Sequence, residues 1–270
     1  MKSSNANALR LLSGVATIFI FIFGAGVYFN MQLKPDSKNC VGKPQTSNVF
    51  LIDNTDAYST QTYRAIEERI LNEIGIKNVE DGNIKPNELI VIVELDETSD
   101  KNLKILFEGC KPNTPNPALI TKNDKNVLIN FNNRIKAAVS SSLKVKLANY
   151  SPITSTITDL MRLSFMQVPN AKLHIYSDMI EFTEKFSLYK CTNQKNPEYE
   201  YIKNIKGSFE KLKFSNTVDL NLMPSTLDSA GINCRMNFWN WFFSRQLEYN
   251  PLPGVRLATQ TNNNLPRNGN

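Results

Sequence analysis

Histidine is almost absent from this chain. Its 270 residues contain one, His174, so a histidine-rich metal site is excluded and a Ser-His-Asp triad has a single candidate base. His174 lies inside an apolar run that reads as a strand, the setting of a packed imidazole. Cysteine is also sparse. There are four, and no Cys-x-x-Cys pair occurs, which removes support for a structural zinc site. Basic residues exceed acidic ones by 31 to 25, a net charge of +6, yet no block of them resembles a nucleic-acid arm. Nucleic acid is therefore not an expected partner, and the charge reads as a solvated basic surface. Hydrophobic residues at 41% and charged residues at 21% describe a folded chain rather than a disordered one. No internal repeat is present.

What the chain does have is one long apolar run. Leu11–Phe29 (LLSGVATIFIFIFGAGVYF) holds no charge and no proline. At ~1.5 Å per residue it nearly spans the ~30 Å hydrocarbon core of a bilayer. A cleaved signal peptide would have a shorter apolar stretch ending in a small-x-small site. Here the run continues past Gly24-Ala25-Gly26 into Val27, Tyr28 and Phe29, so an uncleaved single-pass anchor is expected. Lys2 and Arg10 before it nearly balance Lys34, Lys38 and Lys43 after it, so flanking charge leaves orientation open. Cys40, Cys110, Cys191 and Cys234 all follow the anchor. Their even number fits two disulfides and a domain outside the cytoplasm, on the periplasmic side. Four buried thiols are the other reading, and the pairing is open.

The expected organisation is a tail over 1–10, the anchor over 11–29, a polar linker over 30–47, one domain over 48–258, and a disordered polar tail over 259–270. Within the domain, strand-like and helix-like segments alternate. Val49–Ile52, Leu89–Val93, Leu103–Phe107, Leu173–Tyr176 and Val218–Leu222 read as strands. Helices are expected from a Ser59 cap to Gly75, from Asp124 to Leu143, from a Ser151 cap followed by Pro152, over Pro197–Leu212, and over Phe238–Leu247. Such alternation implies an α/β fold: a doubly wound, mostly parallel, Rossmann-like sheet.

In such a sheet, ligands bind at the carboxyl ends of the strands. Two strands end in acidic motifs. Asp53, Thr55 and Asp56 follow the first, and Asp178 follows the LHIYS run. With the Ser151 hydroxyl they form an oxygen-only set, which suits Mg²⁺ or Mn²⁺. The competing reading is that Asp53 and Asp178 each cap the following helix through its backbone N–H groups. The FWNWFF stretch reads as core. Glu67-Glu68 lies on a helix whose adjacent residues point apart, and Asp96-Glu97 lies in a turn, so neither is a catalytic pair.

These pieces resemble the von Willebrand factor type A domains. Their metal-ion-dependent adhesion site uses Asp-x-Ser-x-Ser after the first strand, a threonine at the head of a later helix, and an aspartate after the fourth strand. Asp53-Asn54-Thr55-Asp56-Ala57, Ser151-Pro152-Ile153 and Ser177-Asp178-Met179 occupy the corresponding places, the last resembling a Ser-Asp-Gly form. Cys110 and Phe238-Trp239 also match anchored bacterial members. The resemblance implies divalent-metal ligands at Asp53, Thr55, Ser151 and Asp178, with Asp56 peripheral. It implies adhesion-type binding of a protein partner rather than catalysis. Ala57 departs from the pattern, since it carries no hydroxyl. The alternatives are a metal-independent scaffold of an envelope complex and a metal-dependent hydrolase, the latter lacking any evident nucleophile–base pair.

Overall fold

The structure, a computed structural model, describes residues 17–24, 35–76, 82–99, 101–113, 121–144, 148–193, 196–204, 217–224 and 229–247. A five-stranded sheet organises them, formed by β1 (Thr46–Asp53), β2 (Leu89–Leu95), β3 (Lys104–Cys110), β4 (Asn170–Ser177) and β5 (Thr217–Leu222). The spatial order is β3-β2-β1-β4-β5. β2, β1, β4 and β5 run parallel, and β3 pairs antiparallel with β2 at one edge. A register shift at Ile92/Val93 marks a bulge in that hairpin.

Helices cover both faces, because the central strands are apolar on both. Phe50, Ile52, Ile90, Ile92 and Tyr176 point to one side. There they pack with Ile66 and Ile70 of α1 (Thr60–Ile74) and with Phe131, Ile135 and Val139 of α2 (Lys122–Ser142). Val49, Leu51, Val91, Leu173 and Ile175 point to the other. They meet Ile153, Ile157 and Leu160 of α3 (Ile153–Arg162), Tyr201 of α4 (Pro197–Asn204), and Phe238, Trp239, Phe242 and Phe243 of α5 (Ser229–Leu247). A strand buried on both faces reads as continuous apolar sequence, as LIVIV does. Phe238, Trp239 and Phe242 are fully buried, so the aromatic stretch is core.

Several boundaries differ from the sequence reading. Ser59 caps α1 and Gly75 ends it in the left-handed region at φ 78°, as expected. α2 instead begins one turn earlier. Thr121 is its cap, and Asp124, read as the cap, is the reciprocal partner that bonds back to the Thr121 N–H. Ser151 does not cap α3. Its backbone pairs with Phe182, and Pro152 stands at the cap position without a side-chain bond. α5 starts at Ser229, upstream of its aromatic run. The segment read as a linker is part of the domain from about residue 35. The Lys38 carbonyl accepts from Cys110 N, Cys40 is buried, and β1 begins at Thr46.

Of the expected anchor over 11–29, residues 17–24 are described; they are helical, with Ile18 to Phe23 exposed. Among the described residues no helix is long and apolar enough to cross a membrane. The rest of that segment, residues 1–10, and the tail over 259–270 lie outside the described residues.

The cysteines form two disulfides, Cys40–Cys110 and Cys191–Cys234. The first ties the 35–45 segment to the end of β3. The second ties the 3₁₀ turn Leu188–Asn193 to α5. Unfolded without reductant, the chain should offer no thiol to a maleimide, and reduction should expose four. Replacing Cys191 and Cys234 with serine should lower unfolding free energy by about 2–4 kcal/mol, measured by denaturant titration.

Candidate functional site at the carboxyl edge of the sheet

The strand order reverses direction between β1 and β4, which are hydrogen-bonded neighbours that both lead to helices. This is a topological switch point, where connections leave to opposite sides and open a crevice. Asp53 ends β1, Ser177 ends β4, and both are buried. The edge therefore gathers residues distant in sequence.

Asp53 is its centre. Its Oδ1 accepts from the Thr55 hydroxyl at 2.6 Å and the Thr55 N–H at 3.0 Å, and its Oδ2 accepts from the Ser177 hydroxyl at 2.6 Å. The Thr55 and Ser151 hydroxyl oxygens are 2.9 Å apart, in a hydrogen bond. Three of the four residues expected to share a site thus form one connected chain. Asp178 follows Ser177, and its Oδ1 accepts from Ile180 N at 2.9 Å. Both aspartates accept a backbone N–H two residues on, in the loops that follow their strands, but neither caps the following helix: Ser59 caps α1, and the turn after β4 begins only at Leu188.

Burial pushes the Asp53 carboxyl upward against the bonds from Ser177 and Thr55. Burial again, and then the charges of Asp56 and Asp53, raise Asp178 well above the ordinary range. Asp56, half-buried, is pushed up to about 6 by burial and by Asp53. Three carboxyls thus crowd one low-dielectric edge and disfavour one another's charge. The Tyr58 hydroxyl is buried beside them and raised by burial and by the charges of Asp178, Asp53 and Asp56, against a hydrogen bond with the Asp178 backbone.

Four further residues shape the edge; Ser177 and Trp239 lie in motifs noted from sequence, whereas Glu181 and Arg235 carry no sequence signal of their own. Ser177 holds Asp53, and its Oγ accepts from Met179 N at 2.7 Å. Glu181, fully buried, takes the capping role expected of Ser151. Its carboxyl accepts from Thr154 N at 2.7 Å and from the Thr154 hydroxyl at 3.0 Å, at the first turn of α3. That leaves the Ser151 hydroxyl for Thr55. Arg235 donates to the Asp178 carbonyl, and Trp239 Nε1 donates to the Met179 carbonyl at 2.7 Å. Only repeated comparison of related chains, or the fold itself, would single out Glu181 and Arg235.

Among the described residues no group of three or more His, Cys, Asp or Glu side chains is drawn together tightly enough to hold a metal unaided. Any cation here would rely on the hydroxyls. His174 lies three residues before Ser177 on β4, stacked on Phe50, with Nδ1 3.2 Å from Glu73 and 3.3 Å from Asp219. Among the described residues no hydroxyl is hydrogen-bonded to it. Glu67 accepts from Ser140, and Asp96 accepts from Thr98 within its turn. A groove of about 600 Å³ opens beside the acidic edge, along α3, between Tyr150, Thr158 and Glu181. It does not contain Asp53 or Asp178.

No protein-family model matches this sequence, and comparison with characterised proteins returns no significant relative.

The raised carboxyls make a pH prediction. Burial holds Glu181 up to about 8 and Asp56 at about 6. Both keep protons in the fold that the unfolded chain releases lower, near the ordinary carboxylate values. Their contribution to stability is complete below those values and is lost as pH rises through about 6 and then about 8. Without divalent metal, the thermal midpoint should fall by roughly 5 °C or more between pH 5 and pH 9. Glu181→Gln, which mimics the protonated acid, should flatten the part above pH 6.5. An unchanged pH profile in that variant would reject the assignment.

Proposed function

We propose that this chain is a membrane-tethered protein-binding module, a von Willebrand factor type A-like domain that meets its partner through a divalent ion at the carboxyl edge of the sheet. The observation that carries this is the connected chain Asp53–Thr55–Ser151 at the switch point, beside Asp178. Motifs separated by about a hundred residues meet in the order the resemblance implies. Met179 adds support. It occupies the left-handed region at φ 60°, which glycine enters freely and other residues rarely do. The family's closing motif places glycine there.

Asp53, Thr55, Ser151 and Asp178 would hold Mg²⁺ or Mn²⁺, and the ion would offer an open position to an acidic side chain of the partner. The donor set fits a hard cation, since every group is an oxygen. The mutual crowding of Asp53, Asp56 and Asp178 is the tension such a cation relieves. The two disulfides support a domain in an oxidising compartment, with the 11–29 run as the tether.

Two observations favour the metal-independent scaffold instead. Both Asp53 oxygens are already bonded, and Arg235 brings a buried cation to the Asp178 carbonyl. Titration separates the two readings. The full chain in detergent should give saturable heat with Mn²⁺ and Mg²⁺, stronger at pH 8 than at pH 5.5, because the raised carboxyls of Asp53 and Asp178 must release their protons to bind the ion. Asp178→Asn, close in shape, should weaken that binding by at least about tenfold while the chain stays folded. Absence of heat from the wild type at pH 8 would reject the metal route. On the metal reading, alanine at Asp53 and Asp178 together should also abolish capture of the partner from membranes.

A further inference from the structure

The end of the apolar run and the start of the domain are close together in sequence. Phe29 ends the run, and Asp36 is already bonded into the domain. Asp36 Oδ1 accepts from Lys38 N and from Cys40 N, each at 2.8 Å. The Lys38 carbonyl accepts from Cys110 N at 2.7 Å. The Asn87 side chain then clamps the next residue, donating to the Val41 carbonyl at 2.9 Å and accepting from Val41 N at 2.6 Å. With Cys40 bonded to Cys110, the chain from Asp36 onward is fixed to the sheet.

It is fixed at one edge. Thr46 opens β1, Leu89 opens β2, Asn170 opens β4, and Cys110 closes the antiparallel β3 beside Leu89. These ends form the amino edge of the sheet, opposite the edge where Asp53, Ser151 and Asp178 gather. The eight-residue β1 separates the two edges by about 23 Å, at ~3.3 Å per step. From Phe29 to Asp36 a fully extended chain reaches about 25 Å at most. The loops beyond Asp53 and Ser177 add to the height of the domain. Turned over, with its carboxyl edge on a membrane, the domain would lift Asp36 farther from the surface than that reach allows.

The side chains at the amino edge suit a headgroup layer. Lys38, Lys43 and Lys85 are exposed there. Of the carboxylates beside them, Asp36, Glu88 and Glu108 each accept a bond within the domain, from Lys38 N, the Asn48 amide and the Lys38 ammonium. Lys43 and Lys85 make no ion pair among the described residues, which leaves them for lipid phosphates.

We propose that the amino edge of the sheet, around Lys43 and Lys85, is the face this domain turns to the headgroups of the bilayer that holds its tether, an inference that rests on the proposed tether at 11–29. The carboxyl edge is then presented away from the bilayer. A partner of the acidic site meets it from the aqueous side, about 23 Å farther out, rather than within the same membrane.

The test reconstitutes the full chain in vesicles of phosphatidylcholine and phosphatidylglycerol that include a lipid with a nitroxide on its headgroup. The native cysteines are held in disulfides, so one added cysteine at a time carries the fluorophore. Lys43→Cys and Lys85→Cys label the amino edge, and Tyr150→Cys and Lys185→Cys label the carboxyl edge. Lys136→Cys on α2 and Tyr199→Cys on α4 label the two helical layers. All these side chains are exposed, so the fold should tolerate each change. The nitroxide should quench both amino-edge labels at least about threefold more than both carboxyl-edge labels, with the helical layers between. Equal quenching at the two edges would overturn the proposal, as would strongest quenching at the carboxyl edge or at a helical layer. A carbonate wash separates this outcome from the tether itself. Chain released by the wash has no membrane tether, and both readings fall together. Chain retained but quenched on the wrong face leaves the tether standing and overturns the orientation alone.

Discussion

Asp53 is buried where β1 ends, and its two carboxylate oxygens reach in opposite directions. One holds Thr55, and through it Ser151 at the approach to α3. The other holds Ser177 at the end of β4. Three segments that leave the sheet at different points are thereby fixed to a single carboxyl. A buried carboxyl is costly unless its bonds are satisfied, and here they come from hydroxyls and a backbone N–H rather than a salt bridge. Removing it would leave Ser177 and Thr55 without their acceptor and release both loops together. The carboxyl edge owes its shape to this junction, whatever ligand it meets.

Much of the architecture was legible because the sheet is buried on both faces. LIVIV and VFLI are continuous apolar runs, and neither a surface helix nor an amphipathic strand would be apolar on every side. The stop at Gly75 was legible because glycine enters the left-handed region without a side-chain clash. The errors fall where a residue's role is decided by something far away in sequence. Ser151-Pro152 has the local signature of a helix cap, but Glu181 arrives from the loop after β4 and takes the N–H groups. The 35–47 segment is polar and proline-containing, which locally describes a linker. A disulfide to Cys110 and the bond from Cys110 N to Lys38 make it part of the domain. Disulfide pairing was beyond local reading for the same reason, since nothing near a cysteine states which strand its partner ends.

At the edge itself, the residues named from sequence do converge, while two of those that hold them in place were not visible. Asp53, Thr55 and Asp178 stand immediately after strands, where topology makes them conspicuous. Glu181 and Arg235 are ordinary residues in ordinary local patterns. Their importance comes from distances across the fold, such as the 2.7 Å between the Thr154 N–H and the Glu181 carboxyl.

The aromatic helix illustrates how a core element can also build a site. Arg235 and Trp239 lie one turn apart on α5 and so project from one face. They hold consecutive carbonyls, those of Asp178 and Met179, in the loop after β4. With Met179 N bonded to Ser177, both polar groups of that residue are satisfied, which is how a side chain as bulky as methionine keeps a left-handed backbone conformation that costs on the order of 1 kcal/mol or more. Cys234, the neighbour of Arg235, is the point at which the disulfide ties α5 to the turn carrying Tyr189. One helix therefore positions the acidic loop through two hydrogen bonds and the turn carrying Tyr189 through a covalent bond. A change in its packing would be felt by both.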